Sequence, residues 1–349
     1  MVDIIRVLIV DDSAYVRKVV REMLSHNPFI EVIGAARNGL EALELTETLR
    51  PDVITSDLVM PELDGVGFIR QQMLRRPVPI VVMSSLGDDG PEVLAALDAG
   101  AVDFLQKPTA LATEKMFDVR GELIEAIKTA ARARPENLIR AEKVEHFAKA
   151  PIEYPRIAET RFDAVLIGVS TGGPQALRYM IPQLPSDFPV PILMVMHMPV
   201  GYTAMYAEKL NEISQLTVAQ AAGGEEIASG TALLAPAGKH LAFKRMANGS
   251  VLTRLTLRPH DTPHRPSVDV MFESASAVFG QRVLGLVMTG MGTDGRAGAT
   301  HIKANGGVIF AEAEESCIVF GMPGAVVEAG LADRVIKLED MAQALTEAV

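Results

Sequence analysis

The chain has a single cysteine, Cys317, in 349 residues. That excludes an internal disulfide framework and any cysteine-rich zinc site, and it fits a reducing compartment. No stretch of about 18 apolar residues occurs, the length a helix needs to cross a bilayer. The opening MVDIIRVLIVDDS has an apolar run too short for a signal-peptide core. Both absences lead us to expect a cytoplasmic protein with no membrane insertion. Basic blocks are missing too. With a net charge of −11, the chain is a poor candidate for sequence-independent nucleic-acid binding, which relies on Lys and Arg neutralising phosphates.

What is present is an ordinary globular composition, 48% hydrophobic and 22% charged. The length predicts two domains. The charge is uneven. Residues 1–125 carry 12 Lys and Arg against 21 Asp and Glu, a net −9. Residues 126–160 are +2 and residues 161–349 are −4.

The first 125 residues alternate apolar runs with amphipathic stretches. Val7–Val10 reads as a buried strand ending in acids, and Ser13 is a plausible N-cap for the helix that follows. Further strands read at 30–35, 52–56, 79–83 and 101–105, with helices at 38–49, 65–74, 91–98 and 109–130. Five such units predict an α/β domain with a doubly wound parallel sheet, residues 1–125. Residues 126–160 have mixed charge, three prolines and no lasting apolar face, and read as a linker. A second αβ pattern fills 161–349, with strands at 162–168, 191–196, 283–288 and a final one at 307–311. Asn248-Gly249 within it signals a hairpin.

In parallel αβ sheets, ligand groups gather beyond the carboxyl ends of strands. Asp11 and Asp12 follow the first strand and Asp57 ends the third. Ser84, with Ser85 beside it, ends the fourth, and Lys107 ends the fifth, before Pro108. Three carboxylates at one end of a sheet repel unless a cation sits among them, and oxygen ligands with retained waters suit Mg2+. An Asp beside such an ion, flanked by a Lys and a hydroxyl, is equipped to accept a phosphoryl group. The bland alternative is a set of solvated strand-end acids. The segments DDSAYVRK, SDLVMPELDG, VMSS and QKP resemble the receiver domain of two-component response regulators over about residues 4–125. The resemblance implies a flavodoxin-like (βα)5 fold and a histidine kinase as phosphodonor. It also implies phosphorylation of Asp57, Mg2+ held by Asp11, Asp12 and Asp57, and support from Ser84 and Lys107. Leu58-Val59 stand where that family often has Val and an acid, an expected change of surface rather than of phosphorylation.

In the second half, Gly168-Val-Ser170-Thr171-Gly172-Gly173-Pro174 joins a strand to a helix. Small residues allow a tight turn that exposes the serine hydroxyl, and the helix start offers N–H groups to a developing negative charge. The same turn suits a bound phosphate or dinucleotide, and it also matches the α/β-hydrolase nucleophile elbow. A serine nucleophile needs a base. Of the seven histidines, His26 and His146 lie in a helix end and the linker. His240, His260, His264 and His301 have polar neighbours and read as surface or loop residues. His197 follows the apolar strand 191–196; a core histidine is the ordinary reading there, but its placement parallels that of Ser170. Asp294 is the only acid in the turn after the strand 283–288. It reads either as the acid that orients His197 or as the N-cap of the next helix. The chain order Ser170, His197, Asp294 is not the Ser, acid, His order of α/β-hydrolases.

Together GVSTGGP, HMP, PHRPSVDVMFES, MTGMGTDG and FGMPGAV resemble the catalytic domain of the chemotaxis protein-glutamate methylesterases, over about residues 160–345. This resemblance implies Ser170 as nucleophile, His197 as general base and Asp294 as orienting acid. It places Thr171 beside the serine and makes the Met291 N–H an oxyanion donor. It further implies removal of methyl groups from glutamate methyl esters on chemoreceptor cytoplasmic helices, and deamidation of receptor glutamines, with no cofactor for the esterase chemistry. The receiver in front predicts gating by phosphorylation. The rival readings are a non-catalytic receiver-containing signalling adaptor and a transcription factor, the second opposed by the −4 of residues 161–349. A monomer is expected.

Overall fold

The central strands of the first sheet, Ile5–Val10, Val53–Asp57 and Ile80–Ser84, are short, largely apolar runs stopped by an acid or a serine, and the helix Ala14–Ser25 buries Val20, Met23 and Leu24 on one face. The computed structural model describes residues 4–84, 90–107, 113–137 and 160–349, without the side chains of 113–118. The chain divides into two units, Met1–Glu142 and Lys143–Val349.

In the first unit the order is β1 (Ile5–Val10), α1 (Ala14–Ser25), β2 (Ile30–Ala36), α2 (Gly39–Leu49), β3 (Val53–Asp57), α3 (Gly65–Arg75), β4 (Ile80–Ser84), α4 (Gly90–Asp98), β5 (Asp103–Gln106) and α5 (Thr113–Ala130). The sheet order is β2-β1-β3-β4-β5, and every pair is parallel. Ser13, Asn38 and Asp64 each accept a backbone N–H three residues on, which fixes where α1, α2 and α3 begin. Val7, Leu8, Ile54, Ile80 and Val81 are fully buried, as strands covered on both faces require. The expected linker 126–160 overlaps the end of α5, and its residues 138–159 lie outside the described residues, as do Ser85 and Pro108.

The second unit runs β6 (Ala164–Val169), α6 (Gly173–Met180), β7 (Ile192–Met196), α7 (Thr203–Ile213), β8 (Thr217–Gln220), β9 (Thr231–Leu234), β10 (His240–Arg245), β11 (Val251–Thr256), α8 (Val268–Phe279), β12 (Val283–Val287), α9 (Arg296–Ala304), β13 (Val308–Glu312), α10 (Met322–Glu328), β14 (Arg334–Ile336) and α11 (Leu338–Ala348). Seven strands form one sheet, β14-β13-β12-β6-β7-β9-β8, and all its pairs are parallel. The strand at 308–312 is therefore not the last. β14 follows it at the edge; it is three residues long, with Val335 half exposed, too short to show a period. β10 and β11 form a separate antiparallel hairpin. Its loop closes through Met246 N–H to Ser250 O and Gly249 N–H to Met246 O, with Gly249 at φ +91, the left-handed position that asks for glycine. Among the described residues no helix is long and apolar enough to cross a membrane.

Candidate active site

In the larger sheet β6 lies between β12 and β7. The chain leaves β6 for β7 on one side, while β12 pairs on the other. The crevice of such a sheet opens beyond the carboxyl ends of the strands flanking that reversal. Ser170 follows β6, His197 follows β7, and the turn Thr289–Asp294 follows β12.

The local chain is shaped to bring these together. Gly172 caps α6 at φ +79, and a Cβ there would lie 2.5 Å from Ile318 Cδ1, so only glycine fits. The Ser170 carbonyl accepts the Gly173 N–H at 2.7 Å, which closes the turn. A Cβ on Gly290 would lie 2.7 Å from the Ser170 Cβ. Its absence lets the turn after β12 pass directly against the serine.

His197 Nδ1 lies 3.1 Å from Ser170 Oγ, and its Nε2 lies 2.8 Å from Asp294 Oδ2. The His197 and Asp294 side chains are only 9% and 10% exposed, so the pair sits where charges are weakly screened. An ionised Asp294 accepts the Nε2–H. That fixes the tautomer whose bare Nδ1 can accept the Ser170 proton. Relative to the serine-protease template the ring nitrogens are exchanged, and the logic is unchanged.

Asp294 has further partners. Its Oδ2 also accepts the Val268 N–H at 2.7 Å, and Oδ1 accepts the Asp269 N–H and the Ser267 hydroxyl, both at 2.9 Å. Burial opposes its ionisation. The hydrogen bond and charge of His197, with the Asp269 and Val268 N–H groups, outweigh it and hold the carboxyl well below the usual range. The N-cap alternative is thus corrected. Asp294 does not cap the helix after it; Gly295 precedes α9 without a side-chain cap. Asp294 sits at the start of α8 instead. Asp269, from α8, accepts the Gly295 and Gly298 N–H groups at 2.9 and 2.6 Å and so serves the start of α9. The two helices exchange caps, and burial first, with the nearby Asp294 charge, raises the Asp269 pKa.

One histidine reading, that of His240, is also corrected, while His264 lies in an exposed loop as expected. His240 is fully buried at the start of β10; its Nδ1 accepts the Ser267 N–H and its Nε2 lies 3.1 Å from the Pro259 carbonyl. Burial lowers its pKa, which keeps it neutral. It can be interior because both ring nitrogens find partners. His264 stacks on His197, 4.0 Å between ring centroids and 18° between planes. Although the residue is exposed overall, burial of its ring first, and the His197 charge second, push its pKa down to about 4. Neither role has a local signal, since each partner comes from a different segment.

Thr171 is buried beside the serine, and its carbonyl accepts the Thr289 hydroxyl at 2.9 Å. Met291 follows Gly290 in the turn that passes Ser170. Among the described residues its N–H has no acceptor.

In the first unit, Asp11, Asp12 and Asp57 each offer a carboxylate oxygen, all within 4.8 Å of one another. Lys107 Nζ bonds Asp11 Oδ2 at 2.7 Å and Asp57 Oδ2 at 2.8 Å. The repulsion foreseen among these acids is thus relieved in part by the ammonium. Burial, with the Asp11 charge, raises the Asp57 pKa against the lowering effect of Lys107 and the Leu58 N–H. Ser84 is buried at the end of β4, and Lys107 stands one residue past β5. Leu58 is buried and Val59 is 63% exposed, so of that unusual pair only the second alters the surface.

Comparison with known proteins gives two family matches, CheB methylesterase over residues 165–345 and response regulator receiver domain over residues 7–116. The chain is 48% identical to protein-glutamate methylesterase/protein-glutamine glutaminase 5 of Myxococcus xanthus, over 97% of this chain and 96% of that one. It is 41% identical to the protein-glutamate methylesterase/protein-glutamine glutaminase of Halalkalibacterium halodurans, over 98% of this chain and 97% of that one. Among solved structures it is similar to the Thermotoga maritima CheB methylesterase catalytic domain. The TM-score is 0.53 at 41% identity, covering 54% of this chain and 99% of that one.

Proposed function

The chain belongs to the CheB methylesterase family, and from that premise we propose that it is a phosphorylation-regulated protein-glutamate methylesterase that also deamidates receptor glutamines in chemotactic adaptation. The observation that carries this reading is the hydrogen-bonded run Ser170–His197–Asp294 at three adjacent strand ends. His197 Nδ1 takes the Ser170 proton as Oγ attacks the carbonyl carbon of a γ-glutamyl methyl ester. Ionised Asp294 stabilises the imidazolium and keeps the ring in place. The Met291 N–H, beside the serine turn, receives the oxyanion. The imidazolium returns its proton to the departing methoxide, and methanol leaves. A water deprotonated at the same nitrogen then cleaves the acyl-enzyme to glutamate and restores Ser170. With glutamine the leaving group is ammonia, and the acyl-enzyme is the same.

Residues 1–125 act as the switch, 126–160 connect, and 161–349 carry the hydrolase. Asp57 is the phosphoryl acceptor, with a chemotaxis histidine kinase as donor. The hard, clustered carboxylates of Asp11, Asp12 and Asp57 fit Mg2+. When bound, that ion supplies neutralisation of the phosphoryl oxygens. Lys107 Nζ already lies 2.8 Å from Asp57 Oδ2, and Ser84, at the end of the neighbouring β4, supports the modified side chain. The substrate is methylated glutamate on chemoreceptor cytoplasmic helices, so the protein works in the cytoplasm, as a monomer, with no nucleic-acid partner and no cofactor for the esterase step.

The test is methanol release from methylated receptor, with and without a small-molecule phosphodonor. Wild type should release methanol, faster with the donor, and Ser170→Ala should release none under either condition. Equal release by Ser170→Ala would end the serine-hydrolase assignment.

A further inference from the structure

Glu312 ends β13 with its side chain fully buried, a place where a carboxyl is costly unless its oxygens are used. Both are. Oε2 accepts the Thr289 N–H at 2.9 Å, and Oε1 lies 3.0 Å from the Ser316 hydroxyl. The Ser316 oxygen in turn accepts the Leu338 N–H, so the far side of the carboxyl is anchored as well.

Thr289 is the second residue past β12, and every polar group on it is committed. Its N–H goes to Glu312. Its carbonyl accepts the Ser170 N–H at 3.0 Å. Its hydroxyl donates to the Thr171 carbonyl at 2.9 Å and accepts the Val319 N–H at 3.0 Å. One residue thus fastens the turn that carries Ser170 to the turn that carries Met291. Gly290, between Thr289 and Met291, is held from the far side as its carbonyl accepts the Gly321 and Met322 N–H groups.

We propose that Glu312 is a positioning residue for acyl transfer: by holding the Thr289 N–H it sets the distance between the Ser170 hydroxyl and the Met291 N–H. Glu312 touches no substrate. It acts through Thr289, and its effect falls on the oxyanion rather than on ester binding. Burial raises its pKa to about 7, and the protonated acid still offers Oε2 as an acceptor. A buried carboxyl anchored by Ser316 on one oxygen and spending the other on the Thr289 N–H fits this role better than a role in stability alone. An apolar side chain of similar size would fill the same space without leaving a carboxyl to satisfy.

The proposal rests on the hydrolase reading above, and the experiment separates the two. The full-length protein is assayed with p-nitrophenyl acetate, whose hydrolysis needs no receptor contacts. Loss of turnover in Ser170→Ala tests the hydrolase reading. Glu312→Ala tests the positioning role, with an expected fall in kcat of about 10- to 100-fold and KM within about twofold, the scale of a slightly misplaced donor. Glu312→Gln keeps an oxygen for the Thr289 N–H and should recover kcat to within about threefold of wild type. A folded Glu312→Ala with kcat within twofold of wild type overturns the proposal, as does Glu312→Gln falling as far as Glu312→Ala. Should Glu312→Ala lose its cooperative melt, Glu312→Met decides. It fills the space but offers the Thr289 N–H no oxygen, and about a tenfold drop in kcat at constant KM is expected; an unchanged kcat again overturns the proposal.

Discussion

The Asp57 cluster and the Ser170 site use the same topology for opposite electrostatic ends. Each lies past the carboxyl ends of parallel strands where the strand order reverses. Around Asp57, like charges gather: two of the three carboxylates, Asp11 and Asp57, share the Lys107 ammonium, and burial lifts the Asp57 pKa. Around Ser170, one carboxylate is surrounded by donors. Asp294 receives His197, two backbone N–H groups and a hydroxyl, and its pKa is held down despite burial. A sheet edge does not dictate chemistry. The ratio of acids to donors at that edge makes one site hungry for a cation and the other a fixed negative charge behind the His197 ring.

The sharpest way to break this contrast is Asp294→Asn. Each carboxylate oxygen of Asp294 faces two donors, so the amide NH2 must oppose donors whichever way it turns. Turnover should fall about 10³- to 10⁴-fold, the scale on which an orienting carboxylate acts. Steady-state ester hydrolysis measures it, and a loss below tenfold would mean that His197 is oriented by something else.

A smaller effect tests a third environment, the acid with few donors at Glu312. Its folded pKa, about 7, lies above its ordinary 4.5, with burial the main cause and Glu339 adding to it against Thr289, Ser316 and Cys317. The sign follows from linkage. The protonated form favours the fold, so its contribution is complete below pH 4.5 and is lost as the pH rises from 4.5 to about 7. Over that window wild type should lose up to roughly 3 kcal/mol that Glu312→Gln keeps. Urea unfolding at the two pH values reads the difference. Parallel pH dependence in both proteins would show that Glu312 does not titrate there.

The smallest expected effect is on basal turnover in Asp57→Asn. Methanol release without phosphodonor should stay within about twofold of wild type, while stimulation by the donor disappears. Stimulation that survives would move the phosphoryl acceptor away from Asp57.

Most of the fold was legible because its signals are local. Val7–Val10 is apolar and ends in acids, Ser13 sits where a cap must, and Asn248-Gly249 marks the hairpin loop. The members of the Ser170 run were legible for the same reason, since each follows a buried strand. β14 escaped because three residues carry no period. The burial of His240 and the stacking of His264 escaped because their polar neighbours in sequence are not their neighbours in space. His240 meets Ser267 and Pro259, and His264 meets His197.

By itself, then, the sequence determined which residues stand at strand ends and which chemical types they bring. Periodicity and turn chemistry are written within a few consecutive residues. The tertiary structure alone decided who meets whom. Asp294 reaches α8 rather than its own helix, Asp269 returns the contact, and Glu312 reaches Thr289. Those pairings depend on strand order and register, which join positions many residues apart. They are enforced because a polar group buried there is costly unless it finds its partner.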